Sequence, residues 1–121
     1  MTKQYQDINS RTYNISIQVL NFIDTIELKR THYSIVDQLI RSACSIGANI
    51  AEGKSSTTKK EFSRYLEIAL KSANETKYWL RLLKDFKKIE NKEIDYLLNE
   101  TDEISRIIAK SVLTIKADSI K

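Results

Sequence analysis

The chain has 121 residues, 41% hydrophobic and 30% charged, an ordinary balance for one globular domain, predicted over 1–121. It has no proline and two glycines, Gly47 and Gly53, which excludes a collagen-like, loop-rich or many-stranded β architecture. One cysteine excludes an internal disulfide framework; one histidine excludes most histidine-based metal sites and argues against a Ser/His/Asp triad.

The net charge is +4, and its distribution says more than its sum. Residues 1–58 hold six basic and five acidic groups, residues 59–88 nine and four, and residues 89–121 five and seven. The positive excess, +5, therefore sits in one segment, and it points to polyanions. No apolar run is long enough to span a membrane, and the polar N-terminus lacks the apolar stretch of a signal peptide. With a lone Cys44, the expected location is cytoplasmic and no membrane partner is expected.

Four helices are predicted, over about 8–28, 35–53, 59–86 and 92–116, with no competing strand pattern. The first has an apolar seam of Ile8, Ile15, Val19, Phe22 and Ile26. The second starts near Ser34, where Ser34 and Asp37 resemble a capping box, and it buries Ile35, Val36, Leu39, Ile40, Ala43, Ile46 and Ile50. Gly53 is placed to close it in the left-handed conformation. Thr58 and Glu61 form a full T-x-x-E capping box that opens the third helix, and Asn91 suits the cap of the fourth. Long helices joined by short links predict an all-α, antiparallel, up-down-up-down four-helix bundle.

The third helix shows two adjacent stripes. Phe62, Leu66, Ala69, Ala73, Thr76, Leu80 and Leu83 form the bundle core. Tyr65, Ile68, Ser72, Glu75, Trp79, Leu82 and Phe86 form a second stripe, either a wide core-facing surface or an oligomer interface carried by Tyr65, Trp79 and Phe86. A basic row, Lys60, Arg64, Lys71, Lys77, Arg81, Lys84 and Lys88, interrupted by Glu67, is either a solvated face or a nucleic-acid-binding face. No base-reading motif accompanies it, so binding would be weakly sequence-specific.

On the second helix, Ala43, Gly47 and Ala51 recur every four residues and allow another helix to approach closely. Gln38, Arg41, Ser45, Asn49 and Glu52 share the opposite face, either solvated or in a polar network with a neighbouring subunit or ligand. Cys44 is expected to be a small core residue, with a Cys44–His32 dyad as a remote alternative. A Glu52–Glu75 carboxylate pair across helices is conceivable, but no spacing fixes it. No catalytic residue, metal site or cofactor is predicted: di-iron bundles need two Glu-x-x-His pairs, and no phosphate-cradling glycine loop or Gly-x-Ser-x-Gly elbow is present.

The run from Ile40 through Arg41, Cys44, Asn49, Ile50, Ala51, Glu52 and Gly53 resembles the R-A-x-S-I-x-A-N-I-A-E-G signature of the 23S rRNA intervening-sequence proteins. The stretches 61–69 and 72–80, with Ser72 and Glu75, are similar to the family's third-helix segments, and the likeness spans about 5–115. Lys71 stands where the family usually has glycine, and Asn9-Ser10-Arg11 where many members carry a tryptophan and a basic residue.

The resemblance implies a bacterial four-helix bundle assembling as a ring, typically a homopentamer. A related group, the accessory proteins of diversity-generating retroelements, binds nucleic acid and a reverse transcriptase. By that similarity Arg41, Asn49, Glu52, Gly53, Ser72 and Glu75 are structural or interface residues rather than catalytic ones. Three functions are open: a non-enzymatic homo-oligomer binding RNA or DNA, a protein-interaction scaffold without nucleic acid, and an enzyme or small-ligand binder using Arg41, Glu52 and Glu75.

Overall fold

A computed structural model describes residues 7–120; residues 1–6 and 121, and the parts of the predicted domain and family likeness that fall on them, lie outside the described residues. Helix α1 spans Ile8–Thr25, α2 Tyr33–Lys54, α3 Lys59–Lys87 and α4 Lys92–Ile120. A short 3-10 turn, Arg30–His32, precedes α2, and there is no strand among the described residues. Helix α2 packs on α1 and α3, and α4 packs on α3 and α1, as in a helical bundle.

Asp7 opens α1 by accepting the Asn9 backbone N–H at 3.3 Å. The helix stops at Thr25, three residues short of the predicted end, where Ile26 turns extended. Ile26 and Leu28 still pack on the core. Apolar spacing reports burial, and here burial outlasts the helix.

Helix α2 begins at Tyr33, so Ser34 lies inside it and does not cap it. Asp37 instead accepts from Arg41 Nε at 3.0 Å. Gly53 is also helical, and no glycine has a positive φ, so the left-handed ending expected there does not occur. Its missing Cβ serves close packing: a Cβ would sit 3.1 Å from Phe62 Cδ1 and 3.2 Å from Tyr65 Cβ.

The two other N-caps form, the Thr58 one as a one-way cap rather than the full reciprocal box expected. Thr58 Oγ1 accepts the Glu61 N–H at 3.1 Å, and Asn91 Oδ1 accepts the Ile94 N–H at 2.9 Å. Helix α3 has 29 residues, about 43 Å at 1.5 Å per residue. It ends in Lys88, which is left-handed at φ 55°, with the Ile89 N–H on the Lys84 carbonyl at 2.9 Å. That is a Schellman closure built on lysine rather than glycine. Ile89 packs on the core and provides the apolar contact that holds it.

The core joins Ile15, Val19 and Phe22 of α1, Leu39, Ile46 and Ile50 of α2, Leu80 and Leu83 of α3, and Ile94, Leu97, Ile104 and Ile108 of α4. The first α3 stripe is buried as predicted, with Phe62 half-buried at its end. Cys44 is exposed, correcting its expected core position. Ala43 takes the buried place, and the next residue lies about 100° round the helix. No helix of the described residues is long and apolar enough to cross a membrane.

Candidate nucleic-acid interface

The basic row divides into two classes. Lys60, Arg64, Lys71, Arg81 and Lys88 are exposed and make no ion pair among the described residues. Lys77 and Lys84 are half-buried and turned towards α4. Lys77 Nζ donates to Asp102 Oδ1 at 3.1 Å and to Ser105 Oγ at 3.2 Å. Lys84 Nζ donates to Asp95 Oδ1 at 2.6 Å. The Lys77 hydrogen bond, helped by Arg106, holds the Asp102 carboxyl below its usual value. The Asp95 hydrogen bond holds Lys84 above its usual value. These two ammonium groups are therefore already committed, and the free row shortens to five. Glu67, which interrupts it, is paired with Lys116 of α4 at 2.8 Å.

The family-signature residues also separate. Asn49 Nδ2 donates to Ser45 Oγ at 3.0 Å and to the Ser45 carbonyl at 2.8 Å. Ser72 Oγ donates to Ser45 Oγ at 2.8 Å, and Thr76 Oγ1 lies 3.0 Å from Ser42 Oγ. Two of the five residues of the polar face on α2, Ser45 and Asn49, thus belong to a hydroxyl and amide ladder that reaches α3 through Ser72, beside the Ser42–Thr76 pair. Arg41, Glu52 and Glu75 remain exposed, and among the described residues Arg41 pairs only with Asp37 on its own helix. Glu75 lines a surface hollow on α3 with Lys71 and Tyr78, to which neither Glu52 nor Arg41 contributes.

In the second α3 stripe, Tyr65 and Trp79 are half-buried, Ile68 is 41% exposed and Phe86 54%. Phe86 meets the His32 ring edge-on at 5.4 Å. Tyr78, outside both predicted stripes, is 60% exposed and stacks edge-on against Trp79 at 4.9 Å. His32 is buried in its turn, whereas Cys44 lies twelve residues on, outside on α2, about 18 Å along the helix. That separation leaves no dyad.

One buried cluster has no counterpart in the sequence reading. Arg11, 1% exposed, reaches Glu100 through Nε at 3.2 Å and Nη2 at 2.7 Å. Nη2 also lies 3.0 Å from Glu103. The hydrogen bond to Glu100 holds the guanidinium above its ordinary pKa. The signal was there: Arg11 stands between Ile8 and Ile15, and Glu100 between Leu97 and Ile104, both at steps of three and four. A charged residue in an apolar stripe calls for a partner in the facing stripe.

Residues 5–110 match the model of the 23S rRNA-intervening sequence protein family. The chain is also similar to a solved structure from Bacteroides thetaiotaomicron VPI-5482, a protein with unknown function from the S23 ribosomal protein family. The two share 28% identity at a TM-score of 0.80, covering 88% of this chain and 98% of that one. Among curated proteins nothing matches.

Proposed function

The chain belongs to the 23S rRNA-intervening sequence protein family, and we propose that it is a non-enzymatic, homo-oligomeric helical bundle that binds structured nucleic acid, RNA foremost, through the exposed basic face of α3. The observation that carries this reading is the set of five α3 cations that face solvent without an acidic partner among the described residues. A row of unpaired cations on one helix neutralises phosphates without reading bases.

The same reading gives the bundle an antiparallel, up-down-up-down order. The pairings support it: between α2 and α3 they run Ser42–Thr76, then Ser45–Ser72, and between α3 and α4 Lys84–Asp95, then Lys77–Asp102, then Glu67–Lys116. Partner numbers fall as residue numbers rise. The proposed assembly is a ring, a homopentamer, closed through the partly exposed Tyr65, Trp79 and Phe86 stripe, in the cytoplasm.

The test is binding of purified, nuclease-treated protein to structured RNA and to duplex DNA at low and physiological salt. Five phosphate contacts per subunit predict a log–log salt slope of about −4. The triple variant Arg64→Glu, Lys71→Glu, Arg81→Glu should lower affinity and flatten that slope by about 2 to 3. Unchanged affinity would remove α3 from the mechanism. Light scattering of the wild-type protein tests the ring, and a monomer mass would refute it.

A second reading, a protein-interaction scaffold with no nucleic-acid role, is favoured by the exposure of Ile68 and Phe86 beside Trp79. Recovery of one specific protein after nuclease treatment, together with absence of RNA and DNA binding, would select it.

A further inference from the structure

The two ends of α3 stand in different electrostatic surroundings. Towards its C-terminus the neighbouring start of α4 carries Glu93 and Asp95, and Asp102 follows. Those acids take up Lys84 and Lys77. Towards its N-terminus the neighbouring end of α4 carries Lys116 together with an exposed Asp118, and of these two only Lys116 lines the surface against α3. Here a surface cleft of about 820 Å³ opens between the two helices. Lys59, Lys60 and Arg64 line it from α3, and Ile115 and Lys116 from α4. Two carboxylates also line it, Glu61 and Glu67. Lys116 neutralises Glu67 at 2.8 Å, which leaves three cations against Glu61. Lys60 and Arg64 are one helical turn apart, about 6 Å along the axis, so both ammonium and guanidinium reach the same side.

We infer that this cleft is where the protein grips a nucleic-acid strand, its phosphodiester groups held by Lys59, Lys60 and Arg64 of α3, while Lys116 on the opposite wall keeps Glu67 neutralised. The inference rests on the nucleic-acid reading above and localises it to one end of the molecule. Ile115 supplies an apolar wall against which a sugar can pack while the phosphates face the cations. Arg64 can take a phosphate in bidentate fashion, and the lysines act as point charges. Lys59 and Lys116 lie outside the basic row read from sequence. Arg81 and Lys88, inside it, stand at the end that α4 makes acidic.

The experiment compares two variants of equal charge change in the full chain, Lys60→Glu with Arg64→Glu, and Arg81→Glu with Lys88→Glu. Each is titrated with the structured RNA that the wild-type protein binds. All four positions are exposed, and matched thermal melting of the two variants checks that both fold. The expected result is a loss of tenfold or more for the cleft pair and less than threefold for the distal pair. Equal losses would make the field of the whole helix, not the cleft, responsible, and would overturn the localisation while keeping α3 as the binding face. A loss confined to the distal pair would overturn the cleft outright. No binding of RNA or DNA by the wild type would fail the parent reading, and the cleft with it. A parallel arm uses inorganic phosphate: saturable stabilisation of the wild type at low millimolar concentration, abolished by Lys60→Glu with Arg64→Glu and competing with RNA, would assign the cleft to free phosphate and overturn the strand proposal.

Discussion

Helix α2 meets α3 through small neutral groups, whereas α1 meets α4 through a buried charge. In the first seam, hydroxyls pair at 2.8 to 3.0 Å and Gly53 lets Phe62 and Tyr65 close in. Each such bond contributes about 1 kcal/mol net, and the short side chains lose little rotamer freedom. In the second seam a guanidinium that is 1% exposed is clamped by Glu100. Taking each ion out of water costs several kcal/mol, which the pair recovers only while both partners are present. The Arg11 Nη1 has no hydrogen-bond partner among the described residues. The neutral seam sets a distance and tolerates loss. The charged seam sets which residues face each other and does not.

Removing one charge is therefore the largest single insult available. Glu100→Ala should cost about 3 to 5 kcal/mol, because Arg11 stays buried with only the half-exposed Glu103 beside it. At roughly 4 °C or more per kcal/mol, the melting temperature should fall by more than 10 °C. The double variant Arg11→Met, Glu100→Leu should recover most of that loss. A double variant that melts no higher than Glu100→Ala would show that the cluster matters for packing rather than for charge.

Next in size is the contact between α1 and α2. A Cβ on Gly47 would lie 3.2 Å from both the carbonyl carbon and the oxygen of Thr12, which are backbone atoms that cannot swing away. Gly47→Leu should cost about 1 to 3 kcal/mol by overpacking. A Gly47→Leu protein that melts like wild type would mean that α1 shifts freely over α2. It would also make the charged seam the sole determinant of where α1 sits. Smaller still is the neutral seam itself. Thr76→Val keeps the shape and removes one hydroxyl, and Ser42 retains the Leu39 carbonyl at 3.2 Å as acceptor. Chemical denaturation should register a loss of about 1 kcal/mol. A loss approaching that of Glu100→Ala would erase the distinction between the seams.

What could be read in advance follows from how far each interaction reaches. Thr58 and Asn91 bond to backbone groups three residues on, so their caps stand in the sequence itself. The four helices and the first α3 stripe follow from spacing alone. Gly53 is a different case: a glycine near a helix end suits a cap or a close approach, and only the position of Phe62 and Tyr65 decides. Ser34 lost its capping role because the turn at His32 already begins the helix. Lys77 and Lys84 looked equivalent to Arg64 until the register of α4 brought Asp102 and Asp95 against them. Arg11 and Glu100 each broke an apolar stripe, but 89 residues separate them and neither names the other. The family motif identified kinship, yet it did not distinguish the residues of the ladder, Asn49 and Ser72, from those left outside, Arg41, Glu52 and Glu75.

The smallest expected effect concerns the turn that returns α1 to α2. His32 Nδ1 accepts the Lys29 N–H at 2.8 Å, which requires a neutral ring with its proton on Nε2. The ring packs edge-on to Phe86, while Lys87 of α3 donates to the Glu27 carbonyl in the same turn. Burial first, then the nearby Lys87 and Lys29 charges, lowers the His32 pKa below its ordinary 6.5. The unfolded chain therefore takes up the proton more readily than the native one. The stabilisation is complete above pH 6.5 and is lost as pH falls through the lower native value. The lowered carboxylates, Asp7 and Asp102, act below their usual 3.8 and leave this window clear. Melting temperature should thus decline modestly between about pH 7 and 5.5. His32→Asn, whose Oδ1 can accept the Lys29 N–H without titrating, should melt with no slope across that range. An identical slope in both proteins would place the titrating group elsewhere and show that the His32–Lys29 hydrogen bond does not carry the pH dependence of this turn.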